Sequence, residues 1–122
     1  MDQEQTDHFH SRLLEMRAQY TGEIDSLQEA TDVINQGGDF GVSNHMADEA
    51  TDIHEREKNL ALIEDRQDLI AQVDAALERI EAGTYGICTA TGVAIPLERL
   101  EALPHAALSV EAQAQQERDD QH

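Results

Sequence analysis

The sequence predicts a mainly α-helical protein, with a long antiparallel coiled-coil hairpin followed by a small α/β module that ends in a C-terminal helix. Two long segments carry apolar residues at steps of three, four or seven, the spacing of one helix face. A polar, Gly-rich segment separates them, and Gly and Pro interrupt the chain after residue 83. We therefore assign residues 1–83 to the hairpin, with its tip at about 36–52, and residues 84–122 to the module.

Composition restricts the possible partners of the chain. Its 122 residues include 26 acidic and 8 basic side chains, a formal net charge of −18. A protein that binds nucleic acid directly needs a basic patch, so this charge excludes that class and favours basic protein surfaces or metal ions. Adaptation to high salt is an alternative cause of the same charge. The single cysteine and the absence of a signal peptide or long apolar run predict a cytoplasmic protein that does not enter membranes.

The first helix is predicted from residue 2 to about residue 35. Its apolar residues form one narrow stripe, which calls for one partner helix. Gly37 and Gly38 are typical of a helix end. The stripe consists of Phe9, Leu13, Met16, Tyr20, Ile24, Leu27 and Ile34.

The predicted tip contains a cluster of carboxylates. Asp48 or Asn44 could cap the second helix, and early acidic residues favour the N-terminal end of a helix dipole. Alternatively, carboxylates at the end of a long hairpin could reach a metal ion or a basic wall in another molecule. The cluster consists of Asp39, Asp48, Glu49 and Asp52.

The second helix is predicted from about residue 48 to residue 82, where Gly83 ends it. Gln67 is expected to interrupt its apolar seam, a position where a polar residue can specify register. The predicted seam consists of Ile53, Leu60, Ile63, Ile70, Val73, Leu77 and Ile80. Two such helices joined by a short loop predict the antiparallel hairpin.

The module shows turn and capping signals in order. Short β-branched runs around Thr91 and Gly92 predict a tight hairpin. Pro96 favours the start of a short helix, and Pro104 favours its end. Ser109 is predicted to cap a last helix from about Val110 to Arg118.

Four positions in the module have the spacing of zinc ligands, but only one carries a thiol. Cys88 stands where a Cys-x-x-Cys pair would begin, and Thr91 takes its second place. Ser109 and Ala112 stand where a second pair would fall, and this set cannot form a tetrahedral thiolate site. We therefore expect no zinc and no other cofactor. Apolar residues are expected to hold the module instead, namely Ile87, Val93, Ile95, Leu97, Leu100, Leu103, Leu108 and Val110.

The segment from residue 44 to about residue 117 resembles the DksA/TraR family of four-cysteine zinc-finger transcription regulators. The resemblance rests on Tyr85-Gly86-x-Cys88, on Gly92, Val93 and Ile95, on Arg99-Leu100-Glu101-Ala102 with Pro104, and on Ala47-Asp48-Glu49-Ala50-Thr51. The sequence from Asn44 to Asp48 is most similar to the short stress-associated members of spore-forming Gram-positive bacteria. The chain thus resembles a member whose zinc-finger-like module has lost three of four ligands.

The resemblance implies a regulator that binds RNA polymerase in its secondary channel rather than DNA, and that acts through the coiled-coil tip. Asp48 matches the key tip aspartate of the family and Ala50 its tip alanine, with Glu49 and Asp52 beside them. His45 stands where well-studied members carry a further aspartate. Because the histidine is a departure from the family pattern, tip activity could be lost or could vary with pH.

The resemblance also bears on ligands and on alternatives. The family's site for the alarmone ppGpp uses basic side chains in the module, and the matching positions here are Leu103 and Gln113, so no ppGpp response is expected there. Cys88 could be a redox sensor or an inert buried residue. The second functional hypothesis is a non-catalytic stress or adaptor protein that keeps the fold without regulating polymerase. An enzyme is not expected, because nothing defines a pocket or a nucleophile.

Overall fold

A computed structural model describes residues 1–35 and 46–121, with the backbone alone at residues 46–50. This part of the chain contains four helices and no strand. The helices are α1 (Gln3–Asn35), α2 (Met46–Ala82), α3 (Leu97–Ala102) and α4 (Val110–Asp120). The mainly α prediction is confirmed, while the expected β structure is reduced to one antiparallel bridge between Ile87 and Ala94. None of the described helices combines the length and the apolar character that crossing a membrane requires.

The chain divides into two compact units, each containing a portion of both long helices. Unit 1 comprises Met1–Arg17 and Ala71–His122, and unit 2 comprises Ala18–Ile70. The boundary between hairpin and module at residue 83 remains a prediction, because the two compact units divide the chain in a different way.

Unit 1 has the larger apolar core. Phe9 on α1 lies against Tyr85, with ring centroids 5.8 Å apart, and Arg17 donates a hydrogen bond of 2.7 Å to Asp74 on α2. Residue numbers therefore rise along α1 as they fall along its partner, the arrangement of an antiparallel pair. The buried apolar residues here are Phe9, Leu13, Val73, Ala76, Tyr85, Cys88, Ile95, Leu100, Pro104 and Ala106. Gly83 ends α2 in the left-handed region at φ 77°, as its sequence position predicts.

The seam of unit 2 is more polar than predicted. Ile53 and Leu60 are 55% and 47% exposed, so their assignment to the seam is wrong, and Asn59 is buried instead. Continuing the heptad seam back from Val73 in alternating steps of three and four passes through positions 70, 66, 63 and 59, and this register turns Leu60 outward. Gln67, which was expected to interrupt the seam, is consequently exposed. The polar residues of the seam are instead Asn59 and the partly buried Arg66.

The module follows the predicted turns but not the predicted apolar core. Cys88 and Val93 are joined by a backbone hydrogen bond of 2.8 Å, which closes the tight hairpin. Pro96 precedes α3 and Ser109 caps α4, as expected. Of the predicted apolar set, Ile95 and Leu100 are buried. Five other members are 41–60% exposed, because they do not pack closely against the long helices. These are Ile87, Val93, Leu97, Leu103 and Val110.

Candidate functional site

The predicted tip lies largely outside the described residues. His45 is not described, and for Asp48, Glu49 and Ala50 only the backbone in the first turns of α2 is described. Asp52 is exposed on α2. The side-chain arrangement of the tip set therefore remains a prediction.

The described part of unit 2 is strongly acidic. Its segments 18–35 and 51–70 contain ten acidic and three basic residues. Among the basic residues, Arg66 donates hydrogen bonds to Glu23 and Asp65, and these contacts raise the pKa of its guanidinium. Its guanidinium carbon also lies 6.0 Å from the centroid of the Tyr20 ring. With this arginine neutralised by its neighbours, the helices present mainly negative charge.

The four positions with zinc-ligand spacing lie close together, and hydrogen bonds connect them. The Cys88 side chain is 1% exposed and accepts hydrogen bonds from the Thr91 hydroxyl and the Ser109 backbone. The Ser109 hydroxyl in turn accepts a hydrogen bond of 3.1 Å from the backbone N–H of Ala112. We call these four residues the clasp. The clasp joins the tight hairpin of the module to the first turn of α4.

The environment of Cys88 favours its thiolate form. The hydrogen bond from the Thr91 side chain, with further bonds from the backbone of Ser109, Thr91 and Ala90, lowers the pKa of the thiol to about 6. Burial acts in the opposite direction and is outweighed. The clasp therefore surrounds a buried sulfur with hydrogen-bond donors that favour its deprotonated form.

These residues do not fit a zinc ion. The clasp offers one thiolate and two hydroxyl groups, and its Ser109 hydroxyl already accepts a hydrogen bond from the α4 backbone. Ala112 has no donor atom in its side chain, so a tetrahedral set of soft ligands cannot be completed. Within the part of the chain that is described, no group of three or more His, Cys, Asp or Glu side chains could hold a metal ion.

Long-range contacts hold the module together and attach it to α1. The Tyr85 hydroxyl donates a hydrogen bond of 2.8 Å to the carbonyl of Pro104, and burial raises the pKa of this phenol to about 12. On α1, Arg12 donates to the backbone carbonyl and the carboxylate of Glu101, at 2.6 and 3.0 Å. His8 adds a contact of 3.0 Å to the same carboxylate. The contacts of His8 and Arg12 connect the start of α1 to α3, and the bond from Tyr85 to Pro104 joins two parts of the module.

An open cavity of about 670 Å³ lies in unit 1 where the resemblance places the alarmone site. Leu103 and Gln113 both line it and supply no positive charge. Arg79, Arg99 and His105 line it as well. Arg99 belongs to a motif that carries the family resemblance, but no pattern in the sequence places it beside Arg79 and His105. One terminal guanidinium nitrogen of Arg79 and Nδ1 of His105 are buried without a hydrogen-bond partner. Burial, followed by the charge of Arg79, lowers the pKa of His105.

Comparison with known proteins relates these features to a family. Residues 83–118 match the family model described as the prokaryotic dksA/traR C4-type zinc finger. Over 119 residues the chain is 40% identical to General stress protein 16O of Bacillus subtilis (strain 168), an alignment that covers 98% of this chain and 72% of that protein.

Two further relatives are also similar along nearly the whole chain. The RNA polymerase-binding transcription factor DksA of Caulobacter vibrioides (strain NA1000 / CB15N) is 36% identical over 124 residues, covering 97% of this chain and 80% of that protein. The solved structure of transcription factor DksA2 from Pseudomonas aeruginosa superposes with a TM-score of 0.84 at 33% identity, covering 100% of this chain and 90% of that structure. Helices, module and sequence thus agree along the chain, which belongs to the DksA/TraR family.

Proposed function

We propose that this protein is a transcription modulator that binds RNA polymerase in the secondary channel and acts through its acidic coiled-coil tip, without contacting DNA. In this role Asp48 is the main functional residue. Ala50, Glu49 and Asp52 complete the tip surface, and His45 modifies its charge. The protein has no catalytic role of its own and works in the cytoplasm.

The observation that carries this proposal is the match along nearly the whole chain to a DksA whose name describes it as RNA polymerase-binding. Two properties of the chain support it independently. A net charge of −18 disfavours direct contact with DNA and favours a basic protein surface. The two long helices α1 and α2 agree with the coiled-coil hairpin that the resemblance implies.

Cross-linking tests the location of the tip on the polymerase. A photoreactive amino acid replaces Asp52, which is exposed on α2, and the complex with core RNA polymerase is irradiated. We expect adducts on the channel walls, and competition by unlabelled protein but not by duplex DNA. A matched probe at Asp119 on α4 should give a different set of adducts. Identical adducts from both probes, or adducts outside the channel, would contradict the proposed placement.

Zinc and ppGpp are not expected to take part. Elemental analysis of the purified chain should find no stoichiometric zinc, because the clasp lacks a ligand set. Titration with ppGpp should leave the thermal midpoint of the protein unchanged, since Leu103 and Gln113, which match the family's basic positions, offer no positive charge, and Arg79 and Arg99 line the cavity at other positions. A ppGpp-dependent rise in that midpoint that disappears in Arg79→Ala would show that this expectation is wrong.

A second function is favoured by the 40% identity to a general stress protein. In that case the chain keeps the fold as a non-catalytic stress or adaptor protein and no longer regulates polymerase. It would then bind a different basic protein, and added to a purified transcription reaction it would have no effect. Binding to polymerase in the cross-linking experiment, together with an effect in the transcription reaction, would favour the first function, and a lack of both would favour the second.

A further inference from the structure

A cavity of about 620 Å³ lies in unit 1 where the start of α1, the end of α2 and the tight hairpin of the module meet. It shares no lining residue with the cavity around Arg79 or with the clasp. Its volume is within the range of about 300–1,000 Å³ that is typical of small-molecule sites. We call it the base cavity, and its apolar wall consists of Ile80, Tyr85, Ile87, Ile95 and Leu97.

The lining of the base cavity is uncharged. None of the described residues that line it has an acidic or basic side chain, although Asp, Glu, Lys and Arg make up 28% of the chain. The one formal charge on a lining residue is the α-amino group of Met1. Neutral polar groups come from the first turn of α1, where the Gln5 amide oxygen accepts from the Asp2 N–H at 3.1 Å. The Thr6 hydroxyl donates to the Asp2 carbonyl at 3.0 Å, which leaves its oxygen able to accept.

The apolar wall has a buried floor and an exposed rim. Ile95 is 4% exposed, whereas Ile87 and Leu97 are 41% and 44% exposed. Met1 lies across the buried Gly86, since a Cβ atom added to this glycine would be 2.9 Å from the Met1 Cε. A methionine side chain is flexible and this one belongs to an exposed residue, so it can move aside when a ligand enters.

We propose that the base cavity binds an uncharged, largely apolar small molecule that contains one neutral polar group. Affinity comes from apolar surface, because the ligand removes the exposed rim from water. An anionic ligand is disfavoured, since the net charge of −18 repels it and no Lys or Arg side chain lines the cavity. A cationic ligand finds no carboxylate in the lining to pair with its desolvated charge. A second copy of the chain is opposed by the same net charge.

A ligand in the base cavity would contact α1, α2 and the module together. These three elements separate when the protein unfolds, so a ligand that needs all of them binds the native state alone. It therefore raises the free energy of unfolding as its concentration increases. This site lies outside the proposed tip and does not depend on polymerase binding.

Fluorescence titration with phenylnaphthylamine tests the site and the class of its ligand. This dye is uncharged, consists of apolar rings joined by one N–H group, and becomes brighter in an apolar environment. The full chain is titrated into a fixed, low concentration of dye, and we expect saturable binding. Anilinonaphthalene sulfonate adds one negative charge to the same skeleton, and it should bind at least about tenfold more weakly.

Paired variants of the module locate the bound dye. Ile87→Gln with Leu97→Gln removes the exposed rim and should weaken phenylnaphthylamine binding about tenfold, equivalent to about 1.4 kcal/mol. The matched control is Leu103→Gln with Val110→Gln, two module residues that are exposed to a similar degree but do not line the base cavity. The control should bind the dye as the natural chain does. The dye should also raise the urea midpoint of the natural chain and of the control, but not of the rim variant.

Four results would overturn the inference. These are no saturable binding of phenylnaphthylamine by the natural chain, equal binding by the rim variant, binding of the sulfonate that is as tight and is lost in the rim variant, and a dimer of the natural chain that the rim variant does not form. The last result would show that the rim pairs two copies. Circular dichroism spectra matching the natural chain establish that each variant is folded. Failure here leaves the proposed function standing, because cross-linking to polymerase tests that function separately.

Discussion

Replacing Ser109 with alanine tests whether hydrogen bonds hold the module in place of a metal. Ser109 is 6% exposed, and its hydroxyl accepts from the Ala112 N–H at 3.1 Å in the first turn of α4. Alanine removes this cap and leaves a backbone donor without its partner in a partly buried position. The loss of an N-cap of this kind costs about 1 kcal/mol, within a range of about 0.5–2 kcal/mol.

Urea denaturation followed by far-ultraviolet circular dichroism measures this cost. Ser109→Ala should lower the midpoint concentration without changing the slope of the transition, since the same surface is exposed on unfolding. The thermal midpoint should fall by about 2–8 °C for a domain of this size. Ser109→Thr, which retains a hydroxyl that can cap the helix without adding charge, should keep more of the stability than Ser109→Ala. An alanine variant as stable as the natural chain, or one restored by added zinc, would refute the role given to the clasp.

Three further changes probe other parts of the structure. Tyr85→Phe should lower the free energy of unfolding by about 1–3 kcal/mol, because the carbonyl of Pro104 loses its buried donor; an unchanged urea midpoint would contradict this. Asn59→Leu should raise the free energy of unfolding by about 1 kcal/mol in the same assay, because it removes a polar group from the seam. A destabilised variant would argue against the burial of residue 59 in the seam. Because the folded pKa of Cys88 lies below its unfolded value, its thiolate contributes stability that is complete above about pH 9 and is lost as pH falls through about 6. Stability should therefore rise across this window in the natural chain but not in Cys88→Ala, and identical pH profiles would exclude this contribution.

Local signals in the sequence predicted the ends of elements well. Gly83 ends α2 because only a residue without a side chain easily adopts φ 77° there. Ser109 caps α4 because its hydroxyl can reach the backbone N–H three residues on. Both depend on neighbouring residues alone, so tertiary structure did not alter them.

The residues of the seam and of the module core are set by helix register and by contacts between residues far apart in the sequence, and a single sequence shows neither. Leu60 fits the apolar spacing of the sequence, but the register continued back from Val73 buries the neighbouring Asn59 instead. Glu101 connects to His8 and Arg12 across 93 and 89 residues, and no local pattern indicates such pairs. The exposed apolar residues of the module were assigned to a core for the same reason, since which side meets the long helices is a tertiary property.

The lifetime of open promoter complexes, measured with purified polymerase, tests the central claim most directly. Addition of the natural chain should change that lifetime at a sensitive promoter. Asp48→Asn should bind polymerase with an affinity within about twofold of the natural chain, a difference of less than about 0.5 kcal/mol, yet lose most of the effect. Asp68→Asn, an exposed change elsewhere on α2, should retain it. A natural chain that binds but leaves the lifetime unchanged, or an Asp48 variant with full effect, would contradict the account.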